Sequence, residues 1–172
     1  MQLKDLHIGW AQSAKSPNIY SGEAYLLWDN LVARYDIIHV TQIYLNAVHD
    51  EEFKLIMKKG LMDILEKQVN ILEKEMDKYH LSLPDRPPKS VKFKLEGNII
   101  NDEYVFRKLF TGIQSFIDNL IRTVKTMVYN DDLRKIFLGF LKDELDAYND
   151  ICKYGKLKGW LQNPPLILQS EG

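Results

Sequence analysis

Leu81-Ser82-Leu83-Pro84-Asp85-Arg86-Pro87-Pro88 is the stretch that decides how this chain folds. Proline removes an amide donor and its ring clashes with the preceding helical turn, so Pro84, Pro87 and Pro88 end any helix that reaches them. Helix-type periodicity runs from Ser21 to His80 before this stretch and from Asn101 to about Gly155 after it. Each half is long enough for a pair of helices, so the chain reads as two helical hairpins joined through residues 81–100.

Working outward, polar residues mark the helix boundaries. Ser21-Gly22-Glu23 opens the first helix, with Ser21 as the expected cap and Glu23 suited to the positive end of the dipole. Its core stripe is Ala24, Leu27, Trp28, Leu31, Tyr35, Ile38, Gln42 and Leu45. His49-Asp50 is the first corner, because Asp50-Glu51-Glu52 supplies a new cap and an acidic first turn. The second stripe includes Phe53, Met57, Ile64, Leu65, Gln68, Leu72, Glu75 and Tyr79. Asn101-Asp102 caps the third helix, with Val105, Phe106, Leu109, Ile113, Phe116, Leu120, Val124 and Met127 facing inward. Asn130-Asp131-Asp132 forms the second corner, and Leu133, Phe137, Phe140, Leu141, Glu144, Tyr148 and Ile151 complete the fourth stripe.

Loop length sets the topology. Antiparallel neighbours need only about two to eight linking residues, whereas residues 81–100 reach roughly 65 Å when extended at about 3.3 Å per residue. A thirty-residue helix is about 45 Å long. The link can therefore travel the whole bundle and start the third helix at the opposite end. The expected fold is all-α, a ferritin-like four-helix bundle of two helical hairpins joined by a long crossover; a simple up-down-up-down bundle with a decorated loop is the alternative. Val91-Lys92-Phe93-Lys94-Leu95 alternates like a strand but has no partner strand, and reads as extended crossover. One domain is expected over residues 1–172, with an N-terminal arm at 1–20 that packs back through Leu3, Leu6, Ile8 and Trp10, a crossover at 81–101, and an apolar C-terminal tail at 156–172.

Composition excludes several classes. Hydrophobic residues at 45% and charged residues at 27% argue for a packed core and against disorder. A formal net charge of -1 gives no footprint for nucleic acid or an anionic membrane surface. No stretch is long and apolar enough to span a bilayer, and the N-terminus has no signal-peptide layout; a cytoplasmic protein is expected. Cys152 is the only cysteine, which leaves no internal disulfide and makes a cysteine-based zinc site implausible.

The candidate site is a polar layer in the bundle core: Tyr35, His39, Gln68, Glu75 and Glu144. Carboxylates are rarely buried unless paired or metal-bound. Dimetal bundles use Glu-x-x-His pairs; this chain has none, and offers only Asp36-x-x-His39 and Asp77-x-x-His80. Glu75 and Glu144 also differ in height by roughly 12 Å at 1.5 Å per residue, against about 3.5–4 Å between two metals in one site. Gln68 and Tyr35 come level with Glu144 instead, a set suited to hydrogen bonding. If Glu144 is charged and buried, Arg34 is the first candidate partner. No catalytic residue, metal site or cofactor is assigned. His49 and His80 fall at helix ends, where a cation is favoured. Gly60 and Gly139 interrupt helices, as sites of close packing or bending.

The first helix carries a second apolar stripe, Leu26, Ala33, Ile37, Val40, Tyr44 and Val48. A helix apolar on both sides is covered on both sides. Its cover is either the chain's own tail and crossover or a second copy, as a homodimer through this outer face.

Ser21-Gly22-Glu23-Ala24-Tyr25-Leu26-Leu27-Trp28, with the proline-rich exit at 81–88, resembles an uncharacterised family of Bacillus-type, spore-forming bacteria. That family is ferritin-like in fold, labelled "putative spore coat protein", and related to the coat protein F group. The likeness spans nearly the whole chain and brings no catalytic residues with it. It implies a structural or assembly role without enzymatic activity, a place in the spore coat, and other coat proteins as partners. The competing expectation is a degenerate ferritin-like protein that binds a metal or small ligand, or an oxidoreductase, with its site in the polar layer.

Overall fold

The structure is a computed structural model and describes residues 18–88 and 100–165. The arm residues Leu3, Leu6, Ile8 and Trp10, the Val91–Leu95 segment and the tail residues Leu166, Ile167 and Leu168 lie outside the described residues. Helix α1 spans Ser21–Ala47 and α2 spans Glu51–Lys59. A π-helical segment follows at Gly60–Leu65 and leads directly into α3, Glu66–Lys78. Helix α4 spans Asp102–Thr126 and α5 spans Asp131–Lys158. All regular structure among the described residues is helical, and no described helix is long and apolar enough to cross a membrane.

Three of the four expected caps form. The Oδ1 atoms of Asp50, Asn101 and Asn130 accept from the amides of Phe53, Tyr104 and Leu133 at 2.8–3.0 Å. Ser21 does not cap: the helix starts one residue earlier, with Tyr20 in the cap position and no side-chain bond to the first turn. The neighbouring acid has a different task. Glu23 Oε1 accepts from the amides of Tyr129 and Asn130, both at 3.1 Å, and so holds the second corner against the start of α1.

These contacts define the topology. Asn130 donates to the Tyr79 hydroxyl at 2.6 Å, bringing the end of α3, the start of α1 and the start of α5 to one end of the bundle. At the other end, both Asp102 carboxylate oxygens accept from the amides of His49 and Asp50 at 2.8 and 2.9 Å. Lys158 closes that end with a 2.8 Å contact to Asp50. Helices α3 and α4 therefore run parallel, and the link between them must travel the length of the bundle. This is the single-crossover connectivity expected from the proline-rich stretch. Arg86 holds that stretch to α3 through Glu66 and Glu73, at 3.3 and 3.7 Å. Asn130→Ala removes a cap and the Tyr79 bridge together, and should lower stability by about 1–2 kcal/mol in chemical denaturation.

The core divides into two clusters. Leu27, Leu31, Leu72, Met76, Leu120, Leu133 and Phe137 centre the first. Val48, Phe53, Met57, Val105, Phe106, Ile151 and Tyr154 form the second, beside the first corner. The stripes of α4 and α5 agree with the sequence reading, but the second helix changes phase. A π turn places extra residue in the ladder and rotates everything after it. Phe53 and Met57 face inward before the turn; Val69, Leu72 and Met76 do so after it. Glu75, expected on the inward stripe, is displaced to the flank, where its carboxylate meets Lys78 at 3.3 Å.

Helix α1 also departs from its expected stripe, because α3 and α4 both pack on it. Glu23, Asn30, Arg34 and Thr41 are all buried. Their spacing of seven, four and seven puts them on one line of the helix, while Trp28 is exposed. On the second apolar stripe, Leu26 and Val48 are buried, Ile37 lies 3.9 Å from a Cβ built on Gly112, and Val40 is exposed.

Helix α5 runs three residues past Gly155. It ends where Gly159 takes φ 70°, with the amides of Gly159 and Trp160 returning to the carbonyls of Lys156 and Gly155. That closure turns the start of the tail inward. Trp160 packs on Phe53, Phe106 and Tyr154, with ring centroids 5.5, 5.6 and 5.8 Å away.

Candidate functional site

Between the two core clusters lies a cavity of about 390 Å³, within the roughly 300–1,000 Å³ range of small-molecule sites. The π segment forms one wall through Gly60, Asp63, Ile64 and Leu65. Helix α4 supplies Leu109, Gly112, Ile113 and Phe116, and α5 supplies Glu144, Ala147, Asp150 and Ile151. Leu109, Ile113 and Phe116 are only half-buried for this reason, although they sit on the inward stripe of α4. π turns are found disproportionately at functional sites, and here one borders this cavity.

One end of the cavity is polar. Glu144, 7% exposed, lines it, as does buried Thr41. Behind that wall is Arg34, fully buried on α1. Its Nε donates to Gln68 Oε1 at 2.7 Å. Its guanidinium sits 4.3 Å from the centroid of the Phe116 ring, and Phe116 also lines the cavity. Nη1 and Nη2 of Arg34, and Nε2 of Gln68, have no hydrogen-bond partner among the described residues. Orphaned buried donors of this kind cost roughly 1–3 kcal/mol each. None of the ion pairs among the described residues involves Arg34, so its interaction with Glu144 acts through the field rather than through contact.

Burial dominates both charges. It pushes the Glu144 carboxyl up to about 7; the Arg34 charge opposes this only in part, and Asp143 adds to it. The same burial lowers Arg34 to about 10 despite the attraction of Glu144. The layer thus combines a carboxyl whose proton is exchangeable near neutral pH with a cation that is permanently charged under ordinary conditions. Such a pair can donate to, or accept from, a polar group at the end of an otherwise apolar chamber.

Of the residues expected in the polar layer, Gln68 bonds to Arg34, and Glu144 feels its charge without contact. Tyr35 is buried but engaged elsewhere, donating to Glu73 at 2.5 Å; burial and then that bond hold its phenol above the ordinary range. Glu75 pairs with Lys78 on the flank. His39 is half-buried and does not line the cavity. Arg34, the centre of the layer, was outside the expected stripe because a charged residue interrupts an apolar pattern. Its signal was positional: it lies four residues from Asn30 and seven from Thr41, on one helical line. Among the described residues, no three His, Cys, Asp or Glu side chains converge as a metal site would require.

A second polar group on the same line of α1 is fully matched. Asn30 Nδ2 donates to the Leu26 carbonyl and to Thr123 Oγ1, both at 2.9 Å, and Asn119 reaches Asn30 Oδ1 at 3.4 Å. Satisfied polar pairing can therefore be built on this helix face, and the Arg34 donors stand out against it.

A protein-family model described as a protein of unknown function, DUF3231, matches residues 10–172. The chain belongs to that family. Among solved structures, this DUF3231 member is similar to a "putative spore coat protein" from Bacillus halodurans C-125, with a TM-score of 0.81. The two are 19% identical, and the match covers 87% of this chain and 96% of the other. That likeness shows a shared fold. No curated protein matches the sequence.

Proposed function

We propose that this protein is a non-enzymatic structural or assembly component, made in the cytoplasm and incorporated into the spore coat with copies of itself. The observation that carries the reading is an outward apolar row on α5. Leu138 and Leu145 are 49% and 47% exposed and lie seven residues apart. Leu141 and Tyr148 alternate with them as half-buried neighbours, and half-buried Cys152 lies one heptad further on. Leucines at this spacing form the seam by which helices pair. The sequence reading favoured the outer face of α1, where Leu26 and Val48 are buried and Val40 is exposed. The printed name of the Bacillus halodurans neighbour supports the coat assignment.

Light scattering on the purified chain tests the assembly role. The expected result is a dimer or larger species that the Leu138→Glu/Leu145→Glu double variant reduces to a folded monomer. A wild-type chain that stays monomeric at high micromolar concentration would remove the basis for the reading.

A further inference from the structure

The α5 row concerns the outside of the bundle; the cavity raises a separate question about the inside. Lys59, Asp63 and Asp150 line it from exposed positions, and Glu144 is the charged group in its buried wall, so a ligand with one polar group that enters the chamber meets it there. A chamber of about 390 Å³ lies within the roughly 300–1,000 Å³ range of pockets that hold small organic molecules. Arg34, behind the buried wall, carries a permanent charge, is fully buried, and has two guanidinium nitrogens with no acceptor among the described residues. When Glu144 is protonated, that buried end holds one positive charge with no counter-charge in contact.

We propose that this cavity binds a single-chain amphipathic carboxylate, with its chain among Ile56, Met57, Leu109 and Ile113 and its head group against Glu144 beside Arg34. An ammonium head would face the like charge of Arg34, and a neutral hydroxyl would leave that charge uncompensated. A carboxylate supplies the missing charge.

Two adjacent carboxylates cannot both ionise readily, so Glu144 takes up the proton and donates it as a hydrogen bond to the bound anion. The charged groups around Glu144 are few. Arg34 faces it from α1, Asp143 is its neighbour on α5, and Asp150 lies about 9 Å further along that helix. Lys59 and Asp63 line the cavity from α2 and the π segment, and α4 contributes no titratable group to the wall. Binding that requires protonated Glu144 weakens as pH rises through the Glu144 titration near 7.

The test is a calorimetric or NMR titration of the full chain with decanoate, decanol and decylamine. Decanoate should bind more tightly than either analogue, and its affinity should fall between about pH 6 and about pH 8. Glu144→Gln, which keeps a donor and loses the titration, should retain decanoate binding and flatten that dependence. Arg34→Gln should weaken binding by about tenfold or more. Ile113→Trp, which fills the chamber without touching the charged layer, provides a second variant and should abolish binding. Failure of decanoate to bind by millimolar concentration would overturn the proposal, as would equal affinity for decanol or unchanged affinity in a folded Ile113→Trp protein. None of these outcomes depends on the oligomeric state, so the proposal and the assembly reading stand or fall separately.

Discussion

Glu144→Gln should raise the unfolding free energy near pH 8 by about 2–3 kcal/mol, and leave it nearly unchanged near pH 4. The sign follows from the direction of the shift. A carboxyl held at about 7 in the folded protein and 4.5 in the unfolded chain is stabilising to protonate. Its full contribution is present below the unfolded value and is lost as pH rises through the folded one. Above that point the folded state carries a buried carboxylate whose burial outweighs the attraction of Arg34. Glutamine has the shape of the neutral acid and never ionises, so it avoids the loss. Other carboxylates act in the opposite sense; those of Asp50 and Glu51 are lowered by bonds to Lys158 and Lys54. The comparison must therefore be variant against wild type at each pH, by urea denaturation. A variant less stable than wild type near pH 8 would show that the Arg34–Glu144 attraction exceeds the cost of burial.

Gly155→Ala should destabilise the protein by about 2 kcal/mol, although helix propensity alone favours alanine by about 1 kcal/mol. A Cβ at Gly155 would sit 2.8 Å from Leu161 Cγ, 2.9 Å from Phe106 Cε1, and closer still to Phe106 Cζ. These are packed groups: Phe106 is fully buried and Trp160, next to Leu161, is wedged among three rings. Relief requires the start of the tail to leave the second core cluster. Gly139 provides the contrast in the same helix. It is exposed and a Cβ there meets nothing within 4 Å, so Gly139→Ala should stabilise by about 0.5–1 kcal/mol. Thermal melts of the two variants should move in opposite directions; a melting temperature for Gly155→Ala at or above wild type would contradict the packing described.

The bundle was legible in the sequence where the signals are local. Asp50, Asn101 and Asn130 mark helix starts because their side chains can satisfy the unpaired amides of a first turn, and three prolines within five residues leave no helical alternative. The alternation of α4 and α5 identified their buried faces for the same reason. What was hidden depends on contacts distant in sequence. The π turn at Gly60–Leu65 was marked only by Gly60, read as a site of close packing or bending, and it rotates the following helix, so a constant period placed Glu75 inward and did not find Met76. Asn30 was overlooked, and Arg34 was named only as a candidate partner of Glu144, because polar residues weaken an apolar stripe, yet α1 is covered from two sides and buries them. Gly155 lacked a turn or charge to mark it, and only the approach of Phe106 explains it. Of the candidate site, Gln68 and Glu144 were accessible as polar residues on core stripes, and Arg34 as a candidate partner of Glu144; the bond of that cation to Gln68 and the cavity beside them were not.

The account rests on Glu144 being a desolvated carboxyl at the end of an apolar chamber, with Arg34 near but not paired to it. A carbon-detected NMR titration of the Glu144 side-chain carboxyl measures this directly. The predicted midpoint is about 7 in the wild-type chain, moving higher in Arg34→Gln because the opposing charge is gone. A midpoint in the ordinary carboxylate range would mean that Glu144 is solvated or contact-paired, and would contradict the site as described.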